Sequence, residues 1–327
     1  MQFNYTTSIL KERKFIITWK VLKVVILISC MAVILQRVRQ DHVKLYDLVA
    51  NISNLPLYGW AGIVLILMLA PFNWLLEALK WKFLTRHIEK LSIRDAFRSV
   101  VIGLSFGFAT PRALGDYIGR TLVFHHDNML KIILPVSVSR MAQLIPTLMF
   151  GIVGISFLIN VNTNADVLQW WVSGLSAALI LIFSGIVLLT KNNHMLPKLK
   201  GFGDVVGRLL QPVSCYSPAD LIQVLGFSVL RYIVFSGQFM IALWVFGLHT
   251  ELFLLFAGVT WILLAKSIMP SFNFLSDLGI REVSAIVFFG AFNYPVLPVL
   301  SASLLIWVIN ILIPALSGVV LAGKTKI

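Results

Sequence analysis

Eight ionisable side chains fall inside or beside apolar stretches, where a charge needs a partner or a function. Arg112, Asp116 and Arg120 cluster in one interrupted apolar region, and Asp277, Arg281 and Glu282 in another. Arg140 sits about two turns into an apolar run, and Arg231 near the middle of a different one. A charge at the centre of a membrane helix costs about 2.5–3.5 kcal/mol on insertion scales, so each residue requires an account. Opposite charges supply one: Asp116 can pair with Arg112, Arg120 or Arg281, and Asp277 or Glu282 with Arg140 or Arg231. Five arginines then face three carboxylates. The surplus of planar guanidinium donors suits a phosphate or other anionic head group. Glu77 and Lys266, near the ends of their runs, read as side chains that snorkel to an interface.

Other chemistry is thinly represented. His125-His126-Asp127-Asn128 resembles a metal cluster only superficially, because adjacent histidines point in different directions and no second cluster completes a ligand set. G-x-S-x-G, Walker A, H-E-x-x-H and Asp-rich diphosphate–metal motifs are missing from the sequence. The expectation is a protein without a catalytic centre, metal or cofactor. Cys30 and Cys215 imply neither a disulfide framework nor a metal site.

The elements that must position these charges are membrane helices. The 327 residues are 58% hydrophobic and 13% charged, with a mean hydropathy of +0.89. A soluble domain of this size cannot hide that much apolar surface. The fold class expected is all-α, a polytopic bundle forming a single integral membrane domain over residues 1–327. Spanning runs lie at about 16–35, 58–79, 132–159, 167–190, 220–247 and 296–322. The first follows a polar head and lacks a small-x-small cleavage site, so it reads as a retained span.

The net charge of +13 does not argue for nucleic acid. Its cations sit in short connections, such as Lys80, Lys82, Arg86, Lys90, Arg94 and Arg98 after the second run. The connections near 160–166, 248–251 and 293–295 hold no Lys or Arg. By the positive-inside rule both termini are cytoplasmic, in a bacterial inner membrane, although a loop with Arg37, Arg39 and Lys44 is an exception.

This orientation makes the two interrupted regions, about 96–127 and 251–294, hairpins entering from opposite faces. Their bends are placed at Pro111, Gly115 and Gly119 in the first and at Pro270 and Gly279 in the second. Opposed broken hairpins are the mark of inverted repeats in transporters, where irregular backbone lines a protein-enclosed cavity. Ordinary helix ends with interfacial loops are the simpler alternative. Gly151-x-x-Gly154 permits close helix contact within one chain or between two.

The run Gly107 to Asp116, followed by Arg120, resembles the P-x-x-x-G-(D/E)-x-x-R segment of the lysylphosphatidylglycerol synthase transmembrane-region family, also called flippase-like domain proteins. Pro270 followed by Asp277-Leu278-Gly279-Ile280-Arg281-Glu282 is similar to the family's P…G-(L/I)-G-x-R-E segment, with Asp277 replacing its first glycine. Arg140 falls where the family places an (E/S)-R pair. The resemblance covers about residues 15–322. It implies a membrane domain that moves lipids or lipid-linked head groups between leaflets, the partner being a phospholipid or a polyprenyl-linked glycolipid. Relatives that aminoacylate lipid carry a cytosolic transferase, for which these 327 residues leave no room. On this reading Arg112, Arg120 and Arg281 contact phosphate, and Asp116, Asp277 and Glu282 hold them. The competing expectation is a non-transporting subunit that positions a glycosyltransferase or lipid-modifying enzyme; an intramembrane transferase is a weaker third.

Overall fold

The computed structural model describes residues 55–110, 113–125, 131–162, 216–269 and 274–324, together with Gln36 and Ser53. The described residues form helices joined by short turns, with no strand among them. In chain order these are α1 Leu57–Thr85, α2 Ile93–Ala109, α3 Gly115–Thr121, α4 Ile133–Asn162, α5 Pro218–Val245, α6 Leu252–Ile268, α7 Phe274–Ala291, α8 Val296–Trp307 and α9 Ile313–Gly323. Among the described residues, four stretches are long and apolar enough to cross a membrane: Leu57–Thr85, Ile133–Ser156, Pro218–Val245 and Val296–Gly323. They coincide with four of the expected runs. The runs at 16–35 and 167–190 lie outside the described residues, as do Cys30, Cys215, Pro111, Arg112, Pro270 and the 126–128 segment.

The last span is one continuous helix with a π-helical turn, Val308–Leu312, between α8 and α9. Pro314 follows it in the first turn of α9. Proline has no N–H to donate and its ring crowds the carbonyl four residues back, so a wider turn there relieves the ladder.

One end of the bundle is fixed by polar contacts. Ser217 caps α5 in a capping box with Asp220, and Pro218 starts the helix without a wasted N–H. Asp220 accepts from Arg86 at 2.6 Å, and Tyr216 donates to the Leu84 carbonyl at 2.9 Å. The C-terminal end of α1 and the start of α5 therefore share a face. Arg98 donates to the Leu321 carbonyl at 3.2 Å, which brings the end of α9 to the start of α2 and sets a cation on exposed helix carbonyls.

Packing follows small residues. Helix α2 carries Gly103-x-x-x-Gly107 and α3 carries Gly115-x-x-x-Gly119, and the two helices lie directly against each other. A Cβ on Gly119 would sit 2.8 Å from the Gly103 Cα. The sequence reading placed Gly115, Gly119 and Gly279 in bends. Instead Gly115 and Gly119 lie in α3 and Gly279 in α7, beyond the ends of α2 at Ala109 and of α6 at Ile268. The first two glycines are there for close backbone approach, not for turn geometry. Likewise Gly151 and Gly154 of α4 face Leu264, Trp261 and the Ala257 carbonyl of α6, so that contact is made within one chain.

Each interrupted region is a pair of helices packed on one another, α2 with α3 and α6 with α7. Their second arms differ, seven residues in α3 and 18 in α7. The main apolar core joins α1, α5, α6, α7 and α8 through residues such as Ile66, Phe239, Ile262, Phe288, Phe289 and Ile306. A smaller one, with Trp74, Trp81, Val100 and Val136, joins α1, α2 and α4. Leu67, Met68, Ile233 and Val319 are exposed, as lipid-facing positions would be.

Candidate functional site

Helix α1 explains where the charges gather. Its buried stripe runs Ile66, Ala70, Asn73, Trp74, Glu77, Ala78, Trp81 and Leu84, a helical period that continues past residue 79. Glu77 and Lys80 therefore point inward, 3% and 1% exposed. The expectation that Glu77 snorkels fails, and so does the placement of Lys80 in a loop: α1 runs on to Thr85. Lys266 sits partly exposed in the last turn of α6.

The Glu77 carboxylate is the centre of a network. It meets Lys80 Nζ at 2.7 Å, Arg231 at 3.0 Å and Arg120 at 3.2 Å, and accepts from the Ser139 hydroxyl at 3.1 Å. Lys80 also donates to the Ser139 carbonyl at 3.4 Å. Asp116 takes Arg120 on one oxygen at 2.7 Å and Arg140 on the other at 3.0 Å. Arg140 reaches further, to the Ala113 carbonyl at 2.8 Å. Ala113 has a φ of 52°, the left-handed region that an alanine enters only under constraint. The result is an alternating row, Arg231–Glu77–Arg120–Asp116–Arg140, with Lys80 attached at Glu77. It draws on α1, α3, α4 and α5.

Three arginines are braced by aromatic rings. The guanidinium carbon of Arg120 lies 4.8 Å from the Trp81 ring centre, that of Arg140 4.7 Å from Tyr117, and that of Arg231 5.0 Å from Trp74. A second tier supports them: the Trp81 indole donates to Ser99 at 2.9 Å, and Ser99 donates to the Arg120 carbonyl at 2.9 Å.

The row lines a cleft of about 240 Å³, with Gln143 and the apolar sides of Trp74, Val100 and Leu104 completing its wall. Its two terminal arginines are the most open, the Arg140 side chain 37% and Arg231 20% exposed. Depth follows from helix rise: Glu77 is eight residues from the end of α1, and Arg231 is 13 from the start of α5. At about 1.5 Å per residue these lie roughly 12 Å and 20 Å from the shared face. Among the described residues, four cations face two carboxylates in the cleft, so two positive charges are left over. Among the same residues, the buried Arg120 Nη1 and Arg231 Nε have no protein partner.

The other predicted residues go elsewhere. Arg281 and Glu282 lie in α7, not in a bend, and both are buried. Arg281 donates to Glu282 at 3.2 Å, and both bond Ser303 of α8, at 3.0 Å and 2.6 Å. Their expected pairing with Asp116, Arg140 and Arg231 does not occur, because α7 packs its inner face on α6 and α8 through Phe288 and Phe289. Asp277 is also within α7. His125 bonds only Glu89 at 2.8 Å, on the exposed surface. Among the described residues, no three His, Cys, Asp or Glu side chains gather as a metal site would require.

Residues 20–318 match the family described as the lysylphosphatidylglycerol synthase TM region. No curated protein and no solved structure shows significant similarity to the chain. A polytopic helical bundle and a match over nearly the whole length agree: this chain belongs to the lysylphosphatidylglycerol synthase TM region family.

Proposed function

We propose that this protein moves a lipid with an anionic head group between membrane leaflets, without covalent chemistry of its own. The head group enters the cleft between α1, α3, α4 and α5 and is met by Arg140 and Arg231, with Arg120 behind them. The observation that carries this is the pair of uncompensated positive charges in an open cleft, roughly 12–20 Å from the basic face. Buried networks that only join helices pair each charge, because unpaired charge at low dielectric is strongly unfavourable. An anion supplied by the ligand would complete the balance. Membership of a family with lipid-modifying members supports the same reading.

The face bearing Lys82, Arg86, Lys90, Arg94 and Lys324 is assigned to the cytoplasm of a bacterial inner membrane, with both termini there. The α2–α3 and α6–α7 pairs are taken as the opposed hairpins of an alternating-access device.

The test is reconstitution into liposomes carrying a fluorescent anionic phospholipid in one leaflet. The intact protein should accelerate exchange, and Arg140→Ala and Arg231→Ala should each lower the rate by at least about tenfold, the effect of one lost charged hydrogen bond. Exchange no faster than in protein-free liposomes refutes transport and leaves a non-transporting subunit for a lipid-modifying enzyme.

A further inference from the structure

The same cleft carries information about the number of charges on its ligand. We propose that it selects a dianionic phosphate, the terminal phosphomonoester or diphosphate of a lipid, over a singly charged phosphodiester; this rests on the head-group reading above.

Glu77 and Asp116 each spend their two oxygens on two different arginines, so the row begins and ends in guanidinium, at Arg231 and Arg140. Lys80 shares Glu77 and has no carboxylate of its own. Among the described residues the formal excess is therefore two. A phosphodiester cancels half of it, and a zwitterionic head group cancels none. A cationic head group adds to the repulsion. A phosphomonoester or diphosphate carries enough charge to cancel all of it.

Geometry supports the count. Among the described residues, Arg120 Nη1 and Arg231 Nε are buried donors without a protein acceptor, and the cleft offers the exposed edges of Arg140 and Arg231 as well. Several donors converging from three side chains suit an oxygen-rich group with no ester substituent on one side. The stacked rings of Trp81, Tyr117 and Trp74 hold the guanidinium planes in place before any ligand arrives, so little ordering is left to binding. The open cleft, about 240 Å³, has room for a phosphate or diphosphate.

The experiment uses the full chain in phosphatidylcholine nanodiscs at pH 8. There a phosphomonoester is dianionic, its second ionisation lying near pH 6. Dioleoyl phosphatidate and dioleoyl phosphatidylmethanol differ by one methyl group and one charge, and each competes against a fluorescent phosphatidate. Phosphatidate should bind about tenfold more tightly, the scale of one charged hydrogen bond. The ratio should fall towards one in Arg231→Gln. Arg140→Gln is the second variant, chosen because its side chain is the most open and Asp116 keeps Arg120. Equal binding of the two lipids, with both weakened alike by Arg140→Gln, overturns the dianion selection and leaves the anionic head-group reading standing. No effect of either variant on either lipid overturns both. Inorganic phosphate competing at the same concentration as phosphatidate keeps the dianion selection and assigns it to a soluble phosphate.

Discussion

Glu77 is the residue on which the buried network depends, and replacing it with glutamine isolates charge from shape. Glutamine keeps one oxygen for Ser139 and fills the same space. Among the described residues it removes the only carboxylate touching Lys80 and raises the cleft's excess from two positive charges to three. The three cations do not suffer equally. Arg120 still has Asp116 at 2.7 Å, and Arg231 is open enough to recruit water. Lys80 is 1% exposed and has only the Ser139 carbonyl left, at 3.4 Å. Most of the penalty therefore falls on one stranded ammonium, and breaking a buried pair this way costs about 3–5 kcal/mol. Thermal or denaturant unfolding in detergent reads it. The sharper measurement is a double-mutant cycle with Lys80→Met. That change alone lowers the excess charge and should shift stability by less than about 1.5 kcal/mol. Added to Glu77→Gln, it should recover about 2 kcal/mol through the coupling of neighbours. The exposed His125, bonded to the half-buried Glu89, supplies a control: His125→Gln should change stability by no more than about 0.5 kcal/mol. If Glu77→Gln unfolds with the parent, or if the two changes simply add, Glu77 is not the anchor of this network.

Two further predictions concern packing and the second cluster. Gly119→Ala puts a methyl 2.8 Å from the Gly103 Cα and from the Ile102 carbonyl, backbone atoms that cannot rotate away, and should cost about 1–3 kcal/mol. Gly237→Ala meets nothing within 4 Å inside α5 and should gain about 0.5–1 kcal/mol, so unfolding of the pair should shift in opposite directions. Ser303→Ala removes the hydroxyl shared by Arg281 and Glu282 and should cost about 1.5–3 kcal/mol in the same assay. A loss under about 0.5 kcal/mol would mean that the ion pair is satisfied without it.

Much of the fold was legible because lipid imposes one rule: apolar runs of about 20 residues become helices. Runs at 58–79, 132–159, 220–247 and 296–322 predict α1, α4, α5 and the α8–α9 span. The ends were less legible. A count of apolar residues stops α1 at Leu79 because Lys80 and Lys82 look like loop, whereas the helical stripe from Ile66 to Leu84 runs through both. That periodicity was the available signal for Glu77 and Lys80. Arg120, Arg140, Arg231 and Asp116 were found because an isolated charge in an apolar run stands out. Asp116 with Arg120, four residues apart, was among the expected pairs and forms; the pairs between distant segments were not legible, since they depend on helix neighbours. Arg281 and Glu282 belong to α7, whose packing turns them towards Ser303 and away from the cleft.

The two buried charge clusters are the closest thing in the molecule to a controlled comparison. Arg281 and Glu282 balance one to one, share a single hydroxyl from the next helix, and are closed off from any opening. Arg281 Nη1 and Glu282 Oε2 lack a partner among the described residues, but no net charge is left over, as in a cluster that fixes helix register. The Glu77–Asp116 network also joins helices, but among the described residues it holds two more cations than carboxylates, and its ends stay open. Replacing one lining residue with a carboxylate would have balanced it further, at a gain in stability. Proteins depart from local energetic consistency mainly where function requires it. The excess charge, more than the presence of buried charge, is therefore what separates the cleft of α1, α3, α4 and α5 from the structural polar contacts elsewhere in the bundle.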